Sequence, residues 1–181
     1  PIDQHELENI MKRLALGPPR GWELLWDQEG LVLHCHTNYE PDPITGKVCG
    51  MVMGKLQVPA RADVALELLR DPDRRKLWDD MLGDIQLREV RGHELCSAEF
   101  SGMMGLSSAR FFQWYRCQGY DEVGQRVHGL RGAWSYVLLL RPAAPRWEDE
   151  LMDAPAAGTT MDVSYGIVIR SHSEQPNQRC E

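Results

Sequence analysis

The sequence predicts an α+β fold, an antiparallel β-sheet with an N-terminal helix and a helical insertion after the third strand. Three observations carry this. Leu7, Ile10, Met11 and Leu14 recur at spacings of three and four, the signature of an amphipathic helix. A second apolar run, Val64-Ala65-Leu66-Glu67-Leu68-Leu69, is broken sharply by Asp71-Pro72. From Ile85 to Arg170 strand-like segments then follow one another with glycine in their connections. Alternating βαβ units are absent, which excludes a doubly wound nucleotide fold.

The first helix spans Asp3 to Leu16, with Asp3 as N-cap, Glu6 three residues on, and Gly17-Pro18-Pro19 as its stop. Trp22 to Trp26 and Gly30 to His36 form a hairpin through Asp27-Gln28-Glu29-Gly30. A third strand covers Lys47 to Val58, where Gly46, Gly50 and Gly54 suggest bulges or strong curvature. Pro59-Ala60 ends it. A helix covers Arg61 to Arg70, and a short one capped by Asp71 runs through Trp78 to Leu82-Gly83. Trp78 is expected to pack behind the sheet. The later strands are Ile85–Val90, Glu94–Ser101, Arg110–Tyr120, Gln125–Leu130, Ser135–Arg141 and Thr159–Arg170, with a loop from Pro142 to Gly158.

A chain of 181 residues with 43% hydrophobic content is read as one domain, 1–181. Residues 1–20 form the helix and a linker, and 171–181 form a polar, frayed tail. The longest apolar run, Tyr136 to Leu140, is far shorter than the roughly 20 residues that span a bilayer. No charged leader opens the sequence. It starts at Pro1, so a longer chain with further domains as partners is expected. The net charge of −7 argues against nucleic acid. The local cluster Arg70, Arg74, Arg75 and Lys76 is either a solvated helix surface or a contact for anionic lipid headgroups at a transiently met membrane surface. Five cysteines, an odd count without a CxxC pair, suit a reducing, cytoplasmic compartment.

Catalytic and metal motifs find no support. His34 and His36 share one strand face while Cys35 takes the other, and no second ligand cluster has zinc-like spacing. Asp79 and Asp80 diverge by about 100° on a helix, so capping and ion pairing suit them better than shared proton chemistry. No nucleophile elbow or phosphate loop occurs. The expectation is a non-enzyme without cofactor or metal.

Strand alternation places Phe112, Trp114 and Arg116 on one face, and Phe111, Gln113, Tyr115 and Cys117 on the other. Arg116 either snorkels from an exposed face or sits in a cavity and needs a partner, because an unpaired buried charge costs several kcal/mol. Glu94 and Glu99 are the candidate partners. Their parity is opposite, so at most one shares the face of Arg116 unless a bulge intervenes. Gly102-Met103-Met104-Gly105-Leu106 is an apolar, glycine-bracketed loop, suited to core packing or to a gate over an apolar ligand.

These residues resemble the START (StAR-related lipid transfer) family from about Trp22 to Ile169. The resemblance rests on Gly21-Trp22-Glu23-Leu24, Gly30-Leu31-Val32-Leu33, Val58-Pro59-Ala60, and above all Asp71-Pro72-Asp73-Arg74-Arg75-Lys76-Leu77-Trp78-Asp79. Ser108-Ala109-Arg110-Phe111-Phe112 stands where the family has a Pro-Arg-Asp-Phe type motif; Arg110 and Phe112 match it, Ala109 and Phe111 depart. The resemblance implies a helix-grip fold, a curved antiparallel sheet around a long C-terminal helix with a lipid between them. It puts Arg116 at the position of a tunnel-facing arginine, an acidic partner near Glu94 or Glu99, and the Met103–Leu106 loop at the tunnel mouth. Ser171 to Glu181 carries no amphipathic helix, so the C-terminal helix is expected to be missing.

The expected function is therefore binding, transfer or sensing of a sterol, phospholipid or related lipid in an apolar cavity. Arg116 would anchor the polar end, Phe112 and Trp114 would line the wall, and Met103, Met104 and Leu106 would gate it. The alternatives are a regulatory or protein-interaction module that has lost ligand binding, which the missing helix favours, and an enzyme on the same scaffold.

Overall fold

The computed structural model describes residues 3–18, 20–36, 51–100, 109–143, 159–160 and 165–181. Helix α1 covers Gln4–Leu16, and Asp3 caps it by accepting from the Glu6 N–H at 2.8 Å. Gly17, at φ 74° and ψ −170°, ends it in a backbone conformation open essentially to glycine alone, its N–H donating to Leu14 O. Strands β1 (Glu23–Gln28), β2 (Leu31–His36) and β3 (Met51–Leu56) form an antiparallel three-stranded sheet in that order. Glu29 and Gly30, both at positive φ, make the two-residue turn that matches the twist of the β1–β2 hairpin. The bulge lies in β1, between Leu24 and Trp26, and the β2–β3 register is continuous. Gly54 instead allows close packing, since a Cβ there would meet Leu33 at 2.8 Å. Gly46 and Gly50 lie outside the described residues.

Helix α2 (Ala62–Arg70) and the single turn α3 (Pro72–Arg75) form the insertion. The Asp71 carboxylate accepts from the Asp73 and Arg74 N–H groups at 2.9 and 3.3 Å, with Pro72 in the first helical position. The second helix is thus shorter than expected, and turns rather than helix carry the chain on to Trp78. The large sheet comprises β4 (Leu82–Val90), β5 (His93–Phe100), β6 (Ala109–Tyr120), β7 (Ser135–Pro142) and β9 (Tyr165–Arg170), in the order β4-β5-β6-β7-β9. The short β8 (Thr159–Thr160) pairs parallel to β6. The architecture is the expected α+β arrangement with antiparallel sheets.

Strand β7 explains the one long apolar run. Ser135 to Leu140 are all buried, because α2 packs on one face of the sheet and α1 on the other. A strand covered on both sides reads as continuous rather than alternating hydrophobicity. On the α2 side lie Leu66, Leu69, Cys117, Tyr136, Ile167 and Ile169. On the α1 side, Leu7, Ile10 and Met11 meet Tyr120, Val137, Leu139 and Val168.

Three expectations are corrected. Residues 125–130 are not a strand: Val127 N–H donates to Gly119 O and the Gln118 side-chain amide to Val127 O, so the end of β6 satisfies this loop. The tail is not frayed. It turns back along β9, with Arg170 and Glu181 exchanging two backbone hydrogen bonds, and Cys180 does the same with Val58. Cys180 is buried, and this return links the end of β3 to the large sheet. Finally, Trp78 does not pack behind the sheet. Its ring is half exposed, and its indole N–H donates to Leu68 O at 3.1 Å.

Candidate functional site

The alternation read along β6 holds. Phe112 and Trp114 pack on the α1 side, with Leu95, Val90 and Ala143, and the Trp114 ring meets His93 edge-on at 6.0 Å. Arg116, of the same parity, is half-buried. Tyr115 and Cys117 face α2.

The two glutamates separate. Glu94 stands opposite Tyr115 in the β5–β6 register, so it shares the α2 side and not the face of Arg116. It is bound there by Arg70, whose guanidinium donates to it at 2.6 Å. An Arg116–Glu94 pair is thus excluded by the pleat. Glu99 stands opposite Arg110 and has the parity of Arg116. It lies six residues further along the strand, about 20 Å away at about 3.3 Å per residue, so the two do not meet directly. Met103, Met104 and Leu106 lie outside the described residues.

The face beneath α2 and α3 gathers a different set. Its apolar surface is Leu69, Leu87, Leu138, Leu140 and Ile167, with Tyr115, Cys117 and Tyr165 among them. Two ion pairs edge it. In the first, burial pulls the Arg70 guanidinium down, but its hydrogen bond and attraction to Glu94 leave it above its ordinary value. In the second, Arg75 pairs with Asp79 at 3.3 Å, with both side chains largely buried. Arg75 also hydrogen-bonds the Tyr165 hydroxyl, and these contacts outweigh the burial that would lower it. Burial pushes the Tyr115 and Tyr165 hydroxyls up. It pushes the Cys117 thiol to about 12 and the Cys96 thiol to about 11.

Tyr115 adds a feature that no sequence pattern announces. Its hydroxyl is buried and has no hydrogen-bond partner among the described residues. Leaving such a group unsatisfied costs about 1–3 kcal/mol. The cluster therefore combines apolar walls, two neutralised ion pairs and a donor held without an acceptor. No group of three or more ligating side chains suited to a metal occurs among the described residues.

The basic cluster is also resolved. Arg70 pairs with Glu94, Arg74 with Glu67 and Asp71, Arg75 with Asp79, and Lys76 with Asp84 at 3.0 Å. The ammonium of Lys76 in turn holds the Asp84 carboxyl below the usual range. These pairs, largely exposed at Arg74 and Lys76, fit a solvated helix surface. Asp79 does serve the ion pairing expected of it.

This architecture, a helix-covered antiparallel sheet with a helical insertion after the third strand, is the START-like helix-grip fold. Solved structures that share it include human STARD10, with a TM-score of 0.70 at 12% identity over 99% of this chain and 64% of that one. Human StAR-related lipid transfer protein 5 gives 0.68 at 10% identity, covering 97% of this chain and 76% of the other. A STAR-related lipid transfer protein from Xanthomonas axonopodis gives 0.63 at 13% identity, covering 88% and 78%. The chain thus spans somewhat under two thirds of the STARD10 chain. No family model matches the sequence. No curated protein matches it either.

Proposed function

We propose that this chain binds a lipid, such as a sterol or phospholipid, between the α2-side face of the large sheet and the α2–α3 segment, without catalysis. The observation that carries this reading is the Tyr115 hydroxyl, buried without an acceptor among the described residues, on an apolar face and flanked by Arg70–Glu94. A site of apolar walls with a few convergent polar groups is what a hydrophobic ligand with one polar end requires. The anchor in this reading moves from Arg116 to Tyr115 and the Arg70–Glu94 pair. The names of two solved structures that share the fold speak of lipid transfer, which supports the class of ligand.

We read the protein as working in the cytoplasm, meeting membranes in passing, alongside further domains of a longer chain. No helix among the described residues is long and apolar enough to cross a membrane. Native mass spectrometry of the purified protein, followed by lipid extraction, tests the reading. A discrete lipid adduct is expected. Its persistent absence after incubation with mixed lipids contradicts it.

A further inference from the structure

The α3–β4 turn carries an apolar tip that the cargo site does not use. Leu77 is 82% exposed, Trp78 48% and Met81 42%, all within five residues. Water contact of this kind at one tight turn is unfavourable and marks a surface that meets something. The tip is rigidly mounted. Asp71 caps α3 below it, Trp78 is held to the Leu68 carbonyl, and the Leu82 N–H donates to Asp79 O at 3.0 Å.

Its charge surroundings decide what it meets. From Asp71 to Asp84, five carboxylates (Asp71, Asp73, Asp79, Asp80 and Asp84) accompany three cations (Arg74, Arg75 and Lys76). Each of those cations already sits with a carboxylate. The rim of the tip is therefore net acidic and offers no unsatisfied positive charge. An anionic surface repels it, and a nucleic acid does so more strongly. A Trp ring flanked by Leu and Met suits the interfacial layer of a bilayer, where an amphipathic ring finds both environments. The tip is also continuous with the cargo site, since Arg75 and Asp79 of the buried ion pair bracket Leu77 and Trp78.

We propose that Leu77, Trp78 and Met81 form a docking tip for an electrically neutral, zwitterionic lipid surface. This names the surface for the passing membrane contact of the proposed function and rests on that reading, while its observations are separate from those of the cargo site.

Vesicle flotation of the full chain tests it, using phosphatidylcholine vesicles and the same vesicles with added phosphatidylserine. The wild type is expected to float with phosphatidylcholine, and added phosphatidylserine is expected to weaken the association. The double variant Leu77→Glu/Met81→Glu is expected to lose at least about tenfold in partitioning, given the transfer energy of two apolar side chains. Val123→Glu, at an exposed apolar residue beyond the far end of β6, is expected to behave as wild type. Equal melting temperatures establish that each variant is folded. Four results overturn the proposal: a wild type that stays at the bottom, a double variant that floats equally, binding that rises with phosphatidylserine, or a self-association in the ultracentrifuge that the double variant abolishes. A double variant that keeps its lipid adduct in native mass spectrometry yet no longer floats separates docking from cargo binding.

Discussion

Arg70, the last residue of α2, donates to Glu94 near the start of β5 at 2.6 Å, with both side chains about a third exposed. This pair fastens the helical insertion to the sheet at the edge of the apolar face that holds Tyr115. Removing one partner leaves the other partly desolvated and alone. Solvent reaches both groups, which reduces the penalty. Arg70→Leu is expected to destabilise the fold by about 1 kcal/mol, and Arg70→Leu/Glu94→Leu to recover most of it. Urea denaturation of the two single variants and the double variant measures this.

Tyr115 separates stability from binding. Its hydroxyl is buried without a partner among the described residues, so Tyr115→Phe removes a desolvated donor. The variant is expected to be as stable as the wild type or up to about 1 kcal/mol more stable in the lipid-free state. Lipid retention is expected to fall. Thermal melting of delipidated protein, set beside the amount of lipid extracted, reads both effects.

The back of the sheet makes a steric prediction. A Cβ at Gly166 would lie 2.6 Å from Ile10 Cδ1 and 3.1 Å from Ile10 Cγ2. The β-branch fixes χ1 of Ile10 and with it Cγ2, so a methyl at Gly166 forces Cδ1 to rotate away and the Cγ2 contact to give by a few tenths of an ångström. Gly166→Ala is expected to cost about 1–3 kcal/mol. Adding Ile10→Val, which removes Cδ1, is expected to return part of it. Chemical denaturation of single and double variants decides.

Alkaline pH supplies a fourth test. Burial raises Cys117 to about 12 and Cys96 to about 11 from an ordinary 9.0, and raises the tyrosine hydroxyls Tyr115 and Tyr165 as well. The folded state then holds protons that the unfolded chain releases. The stability from these groups is complete below about pH 9 and is lost progressively as pH rises toward the folded-state values. Denaturation midpoints from pH 8 to 11 are expected to fall, and Cys117→Ala to shallow the fall. Below pH 9 the buried Cys96 and Cys180 are expected to resist alkylation, with the half-buried Cys35 reacting before them. Mass mapping of the modified thiols checks the order.

Much of the fold was legible because its signals are local. Asp71-Pro72 reads as a cap and first helical residue, and both serve so. The run Tyr136–Leu140 marks a strand buried on two faces, and β6 keeps the alternation its sequence shows. The site was less legible, because alternation says which residues share a face but not what covers it. Phe112, Trp114 and Arg116 were correctly grouped, yet α2 and its polar cluster cover the opposite side. Arg70 and Glu94 meet across 24 residues of sequence, and no periodicity announces such a pair. The tail was misread for a related reason. Its polar residues suggest fraying, while its order comes from backbone bonds to Val58 and Arg170, which composition does not record.

The central claim is that the face bearing Tyr115 and Arg70–Glu94 holds a lipid. Native mass spectrometry of the wild type, Tyr115→Phe and Arg116→Leu, each incubated with the same mixed lipids, tests it most directly. The account predicts a discrete adduct on the wild type, a weakened one on Tyr115→Phe and an unchanged one on Arg116→Leu. An adduct that Arg116→Leu abolishes and Tyr115→Phe leaves intact would contradict it and return the site to the α1 side of the sheet.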